Sequence, residues 1–302
     1  MPFLGVYGHV NVDYILQVKE LPRAEQTVPV IRELVRLGGT AGNIARGAAF
    51  LSVPTAIASC VGEDFPPRFR EELTAAGIDL VDFRQIPGPT PKIWIISSAK
   101  GEQSAVIDQG VMGDNHSRPR LDYTMLGSDW IHFTTGPAKD HFDIAKEASR
   151  IGKKVVFDPG QELSYRYPER DFERFLDLAD VFICNKQELG IAQEKLGYGD
   201  PKQLLDHVDA IIGTRGSEGS VLYTERETIN INACPVRTQE AVDTVAAGDL
   251  YRAGLYAALR EKRPLPEAMR WAAVAASVFL ESHGTRWPSL DDVRRRRDEW
   301  GD

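Results

Sequence analysis

The sequence predicts an α/β protein: a doubly wound, mostly parallel β-sheet with helices on both faces, plus a small second β-sheet. Three observations lead there. Short apolar, β-branched runs alternate with stretches of helical periodicity. Each run stops at a glycine or a polar residue, the pattern of strands buried on both faces of an open parallel sheet. Two segments break the alternation and read as hairpins.

In chain order the strand-like runs are 3–7, 55–60, 130–133, 154–157, 181–184 and 210–212. Helical patterns fit 43–51, 68–76, 142–150, 187–195 and 201–207, and a long one follows Leu250 through Ala253, Gly254, Ala257 and Ala258. Segment 13–36 holds strand-like 14–18 and 27–34 about a Leu-Pro turn. Segment 92–110 holds 92–97 and 103–108 about a Lys-Gly turn. The two hairpins are expected to form one accessory sheet, or else edge strands of the main one. No repeat or Pro/Ser-rich linker divides residues 1–302, so a single domain with this sub-structure is expected.

In such sheets ligands collect beyond the carboxyl ends of the strands. The residues there are Gly8, Gly62 with Asp64, Thr134 with Gly136, Asp158, Asn185, and Thr214 with Gly216. Each alone suits a turn or helix cap. Together they predict a site.

The strongest chemical signal is Asp243-Thr244-Val245-Ala246-Ala247-Gly248-Asp249, directly before the long helix. Small residues at 246–248 leave helix-start N–H groups unshielded, which favours an anion. Asp249 sits beside them, where the helix dipole should keep it ionised and able to accept a proton. Phosphoryl transfer needs this pairing of amide donors and base. A plain helix cap would use the same residues.

This segment resembles the C-terminal signature of the ribokinase-like (PfkB) kinases. The resemblance implies that Ala246, Ala247 and Gly248 line an anion hole and that Asp249 is the catalytic base. Val245 stands where many members carry Thr, and Ala246 where many carry Gly. Leu37-Gly38-Gly39-Thr40-Ala41-Gly42-Asn43 resembles the family's Gly-Gly signature, so Gly38 and Gly39 would approach the acceptor and Asn43 would bond a sugar hydroxyl. In Gly8-His9-Val10-Asn11-Val12-Asp13, Asn11 and Asp13 take the places that hold sugar hydroxyls. Asn185-Lys186-Gln187-Glu188 matches Asn-x-x-Glu, implying Mg²⁺ near Glu188 and phosphates near Asn185. Thr214, Gly216 and Gly219 match the turn that borders ATP, and the adenine is expected near residues 269–279.

A narrower resemblance, to archaeal broad-specificity nucleoside kinases, rests on Tyr14-Ile15, Thr90-Pro91-Lys92-Ile93-Trp94, Phe157-Asp158-Pro159-Gly160-Gln161 and Leu250-Tyr251-Arg252-Ala253-Gly254. It implies a nucleoside phosphorylated at its 5′-hydroxyl, with Gln109 and Gln161 toward the base and the hairpins acting as a lid; Trp94 could also reach the base but reads rather as a packing residue of the small sheet. A sugar kinase of the same family fits the same hydroxyl-binding residues. A non-catalytic nucleoside- or sugar-binding protein is the reading from another class.

Other classes find no support. There is no GxxxxGK[ST], no GxGxxG after the first run, no HExxH and no Gly-x-Ser-x-Gly. His9 and His132 near strand ends read as structural residues rather than ligand contacts. A net charge of -8 argues against nucleic acid as the main partner. Cys60, Cys184 and Cys234 form no CxxC and read as buried thiols. With no signal-peptide pattern or membrane-length apolar stretch, a cytoplasmic protein is expected. The hairpin edges could pair two copies into a homodimer.

Overall fold

The computed structural model describes residues 1–98, 102–237, 246–282 and 287–301. The first half contains β1 (Leu4–Tyr7), β2 (Asn11–Val18), β3 (Val30–Gly38), α1 (Thr40–Phe50), β4 (Thr55–Val61), α2 (Pro67–Ala75), β5 (Asp79–Gln85), β6 (Lys92–Ser98) and β7 (Gln103–Asp108). Then come α3 (Asp122–Gly127), β8 (Trp130–Phe133), α4 (Ala138–Arg150), β9 (Lys154–Phe157), α5 (Glu169–Leu176), β10 (Val181–Asn185) and α6 (Lys186–Leu196). The chain continues through β11 (Ala210–Thr214), β12 (Ser220–Thr224), β13 (Thr228–Ile231), α7 (Ala247–Arg260), α8 (Leu265–Glu281) and α9 (Leu290–Trp300).

Nine strands form the main sheet in the order β13-β12-β11-β10-β9-β8-β1-β4-β5. Its seven strands from β11 to β5 pair in parallel, and β12 and β13 add an antiparallel edge. Both faces are covered, which is why the strand sequences are continuously apolar. In β10, Val181 and Ile183 join the core under α1, α7 and α8, while Phe182 and Cys184 join the core under α4, α5 and α6. Burying one such side chain contributes about 1.5–3 kcal/mol.

The chain leaves β1 toward β4 and later returns to its other side through β8. The sheet's switch point therefore lies between β1 and β8, where a crevice opens beyond the strand ends. Gly254 brings α7 close to α8 beside this crevice, since a Cβ there would stand 2.6 Å from that of Ala275.

The hairpins form a separate four-stranded sheet, β3-β2-β6-β7, with β2 and β6 parallel at its centre. They are not edge strands of the main sheet. The Lys-Gly turn between β6 and β7 lies outside the described residues. The segment expected as a helix over 201–207 is a 3₁₀ helix, Pro201–Asp206, of which only Leu204 is buried. With so narrow an apolar contact it does not extend into a longer α-helix. All three cysteines are free and buried. Among the described residues, no helix is long and apolar enough to cross a membrane.

Candidate active site

The start of α7 is unusual. Ala246, its N-cap, adopts the left-handed conformation at φ 68°, and among the described residues no side chain caps the helix. A non-glycine residue there costs roughly 1–2 kcal/mol. Without a cap, the first N–H groups keep their capacity to bind an acceptor from outside the helix. Asp243, Thr244 and Val245 of the same motif lie outside the described residues.

Asp249 follows in the first turn, partly buried. Its Oδ2 accepts a hydrogen bond from Asn43 Nδ2 at 2.8 Å. Burial pushes its pKa up to about 7; the Asn43 bond and Arg252 oppose the rise, and Asp158 and Asp13 add to it. The helix start alone suggested a carboxylate held ionised. Instead, desolvation, with the two neighbouring carboxyls adding to it, raises Asp249 toward neutrality.

Asp13 is buried, and burial raises it to about 6 against the pull of Arg36, Arg46 and its 2.7 Å bond from Asn11 Nδ2. The two glycines at the end of β3, Gly38 within it and Gly39 just beyond, are sterically required. A Cβ on Gly38 would stand 2.0 Å from Asp13 Oδ1. One on Gly39, at φ 87°, would stand 2.3 Å from the His9 carbonyl and 2.5 Å from Asn11 Oδ1. These glycines let the α1 entrance close onto the polar side chains of β2.

One cleft at the switch point is lined by Asn11, Asp13, Gly39, Asn43, Ala246 and Asp249 on one side. His9, Thr135, Gln161 and Glu162 form another wall, and Ile93, Ile95 and Ile107 reach in from the small sheet. Most of the expected acceptor residues therefore meet. Trp94 does not line it: Ile93 and Ile95 take the cleft-facing phase of β6, and Trp94 stacks on Tyr14 with ring centroids 5.7 Å apart. Gln109 does not line it either. Its Nε2 donates to Glu162 Oε1 at 3.1 Å, which holds the amide behind the cleft wall.

His9, read from the sequence as structural, lines the cleft; it is buried and has neither ring nitrogen hydrogen-bonded. Glu162 and Arg252 escaped the sequence reading. Glu162 is buried and accepts the Gly136 N–H at 2.6 Å. Arg252 clamps Asp158 with Nε–Oδ2 at 2.7 Å and Nη2–Oδ1 at 2.9 Å, and its Nη1 donates to the Gly248 carbonyl at 3.2 Å. Burial alone would raise Asp158, but Arg252 and His132 hold it well below the usual carboxylate range. His132 is structural as expected: Tyr256 meets its Nδ1 at 2.7 Å and Asp158 its Nε2 at 3.2 Å. Only the run Leu250-Tyr251-Arg252 gave any local hint of Arg252.

On the other side of Asp158, Asn185 and Glu188 form a capping box on α6. Asn185 Oδ1 accepts from the N–H groups of Gln187 and Glu188, and Glu188 Oε2 accepts from the Asn185 N–H at 2.7 Å. Burial raises the Glu188 pKa, and the charge of Asp158 adds to this. A divalent cation would relieve both effects, so the carboxylate fits an Mg²⁺ role. Among the described residues no three His, Cys, Asp or Glu side chains converge on a metal position. Thr214 ends β11 and donates to the Cys184 carbonyl at 3.3 Å; Gly216 and Gly219 follow in the turn to β12, both at positive φ. An open groove runs along Lys186, Gln193, Thr214 and Arg215.

The chain is similar to known proteins along its whole length. Residues 1–292 match the model of the pfkB family carbohydrate kinases. A nucleoside kinase of Thermoplasma acidophilum is 31% identical over 303 aligned residues, covering 99% of this chain and 97% of that one. An ATP-dependent ribose-1-phosphate kinase of Halopiger xanaduensis is 28% identical, covering 95% of each. The crystal structure of Methanocaldococcus jannaschii nucleoside kinase superposes with a TM-score of 0.88 at 28% identity, covering 99% of both chains. With the fold, the cleft and the family match in agreement, the chain belongs to the pfkB carbohydrate kinase family and is a phosphotransferase with an alcohol group as acceptor.

Proposed function

We propose that this enzyme transfers the γ-phosphoryl group of ATP to the 5′-hydroxyl of a nucleoside. The observation that carries the reading is Asp249, set in the first turn of α7 beside the helix-start N–H groups and in one cleft with Asn11, Asp13 and Asn43. Asn11, Asp13 and Asn43 bind the ribose hydroxyls and fix the 5′-oxygen. Asp249 removes its proton as the oxygen bonds to the γ-phosphorus and the bond to the β-phosphate oxygen breaks, releasing ADP. The N–H groups of Ala246, Ala247 and Gly248 receive the charge of the transferred group.

Mg²⁺ bound near Glu188 would neutralise phosphate charge. Asn185, Thr214, Gly216 and Gly219 border the triphosphate and adenosine of ATP, with the adenine toward residues 269–279. Ile93, Ile95 and Ile107 support a nucleoside over a free sugar, because they offer an apolar surface to the face of a flat heterocycle. The small sheet is then a lid, on a single domain of residues 1–302, that excludes water from the transfer. Its edge strands β3 and β7 expose Ile31 and Val106, which supports pairing of two lids in a homodimer. A cytoplasmic location fits an enzyme that uses ATP.

The test is a panel of adenosine, inosine, guanosine, cytidine, ribose and fructose, each supplied with ATP and Mg²⁺ and read by ADP release. Turnover of a nucleoside well above that of every sugar supports the reading. Preference for a free sugar would replace it with the sugar-kinase alternative.

A further inference from the structure

Arg252 lies on α7 three residues beyond Asp249, so the two side chains share a helix face. Its guanidinium is engaged at every nitrogen. Nε and Nη2 grip the two oxygens of Asp158 at 2.7 and 2.9 Å, and Nη1 reaches back 3.2 Å to the Gly248 carbonyl. Asp158 follows β9 directly and is itself held by His132, 3.2 Å away. The pair thus ties the end of a central strand to the first turn of α7.

A buried ion pair is a weak device for stability, since apolar residues of similar volume often do as well or better. This pair sits where a turn needs fixing. The N-cap Ala246 is in the left-handed conformation and its methyl group cannot cap α7. The Gly248 carbonyl also belongs to the same peptide group as the Asp249 N–H. A cation drawing electron density from that carbonyl makes the Asp249 N–H a stronger donor; it is a first-turn N–H adjoining those of residues 246–248, because the first intrahelical bond is donated by Leu250 N to Ala246 O.

We propose that Arg252 is a positioning residue for phosphoryl transfer: gripped by Asp158, it orients and polarises the Gly248–Asp249 peptide at the mouth of the anion hole. The proposal rests on the reading of residues 246–249 as anion hole and base. Losing a whole oxyanion donor lowers kcat by about 10²–10³. Loosening and depolarising one lowers it by about 10–10². Acceptor KM should stay within about threefold, because Arg252 does not line the acceptor cleft.

The experiment compares wild type with Arg252→Met, the double variant Asp158→Leu/Arg252→Met, Arg252→Lys and Asp249→Asn. Each is measured for Tm and for kcat and KM, on whichever acceptor of the nucleoside and sugar panel wild type uses best. Arg252→Met should lose both Tm and kcat, because it leaves Asp158 buried and unpaired. The double variant should regain Tm but keep the loss of kcat, a separation that a purely structural pair would not give. Arg252→Lys covers the case in which the double variant does not fold. Its single ammonium cannot hold both Asp158 oxygens and the Gly248 carbonyl, so at least a tenfold loss of kcat is expected. Recovery of kcat together with Tm in the double variant, or a wild-type rate in Arg252→Lys, overturns the proposal while Asp249→Asn remains inactive. A wild-type rate in Asp249→Asn would instead overturn the underlying reading of the site.

Discussion

Replacing the proposed base should make the protein more stable at neutral pH while removing its activity. The folded protein keeps the Asp249 proton up to about pH 7, whereas the ordinary group releases it near 3.8. Between these values the folded state binds more protons than the unfolded chain, so this residue's contribution to stability falls as pH rises and is level above about 7. Three pH units correspond to about 4 kcal/mol for a fully enclosed carboxyl. Asp249 is partly open to the cleft, and solvent screening reduces this to about 2 kcal/mol. Asp249→Asn removes the charge and still offers an oxygen to Asn43. Its Tm should exceed that of wild type by about 4–6 °C at pH 8, by progressively less toward pH 5, and by almost nothing at pH 4, while kcat drops at least about 10²-fold. Thermal denaturation of both proteins from pH 4 to 8, without ligands, measures this. A variant less stable than wild type at pH 8, or a gain that does not change with pH, would refute the claim that Asp249 is held against its burial.

Three further outcomes follow from local geometry. Gly38→Ala places a Cβ 2.0 Å from the Asp13 carboxylate at a backbone conformation that alanine accepts, so Asp13 must move and acceptor KM should rise at least tenfold; an unchanged KM would remove Asp13 from acceptor binding. Glu188→Gln keeps an acceptor for the Asn185 N–H, since Gln serves in a capping box. Its Tm should therefore stay within about 2 °C while the Mg²⁺ concentration giving half-maximal rate rises at least tenfold, and an unaltered Mg²⁺ requirement would limit Glu188 to capping. Ala246→Gly relieves a left-handed alanine at φ 68° and should raise Tm by about 2–4 °C with kcat retained; a lower Tm would mean the turn depends on the alanine side chain.

What could be read from the sequence divides by distance along the chain. The α7 entrance, the Asn185–Glu188 pair and the buried strands were legible because their physics is local: small residues before a helix, an N-cap with its partner three residues on, unbroken β-branched runs. β5 escaped because Asp79, Arg84 and Gln85 make an edge strand too polar to show as an apolar run. Period-2 alternation identified β6 as a strand but not its phase, so Ile93 and Ile95 rather than Trp94 face the cleft.

The larger omissions are long-range pairs. Asp158 and Arg252 are 94 residues apart, Asn43 and Asp249 206 apart, and no spacing rule couples them. These contacts also decide the chemistry. A helix start favours a carboxylate by roughly 0.3–1 kcal/mol, which by itself would hold Asp249 at or below its ordinary pKa. Desolvation in the cleft, with Asp158 and Asp13 close by, overrides that preference even though Asn43 and Arg252 push back, and the balance settles near 7. The motif supplied the candidate base, but its readiness to take a proton at neutral pH depends on burial and on Asn43, Asp13 and Asp158, brought to it from other elements of the fold, together with Arg252 of its own helix.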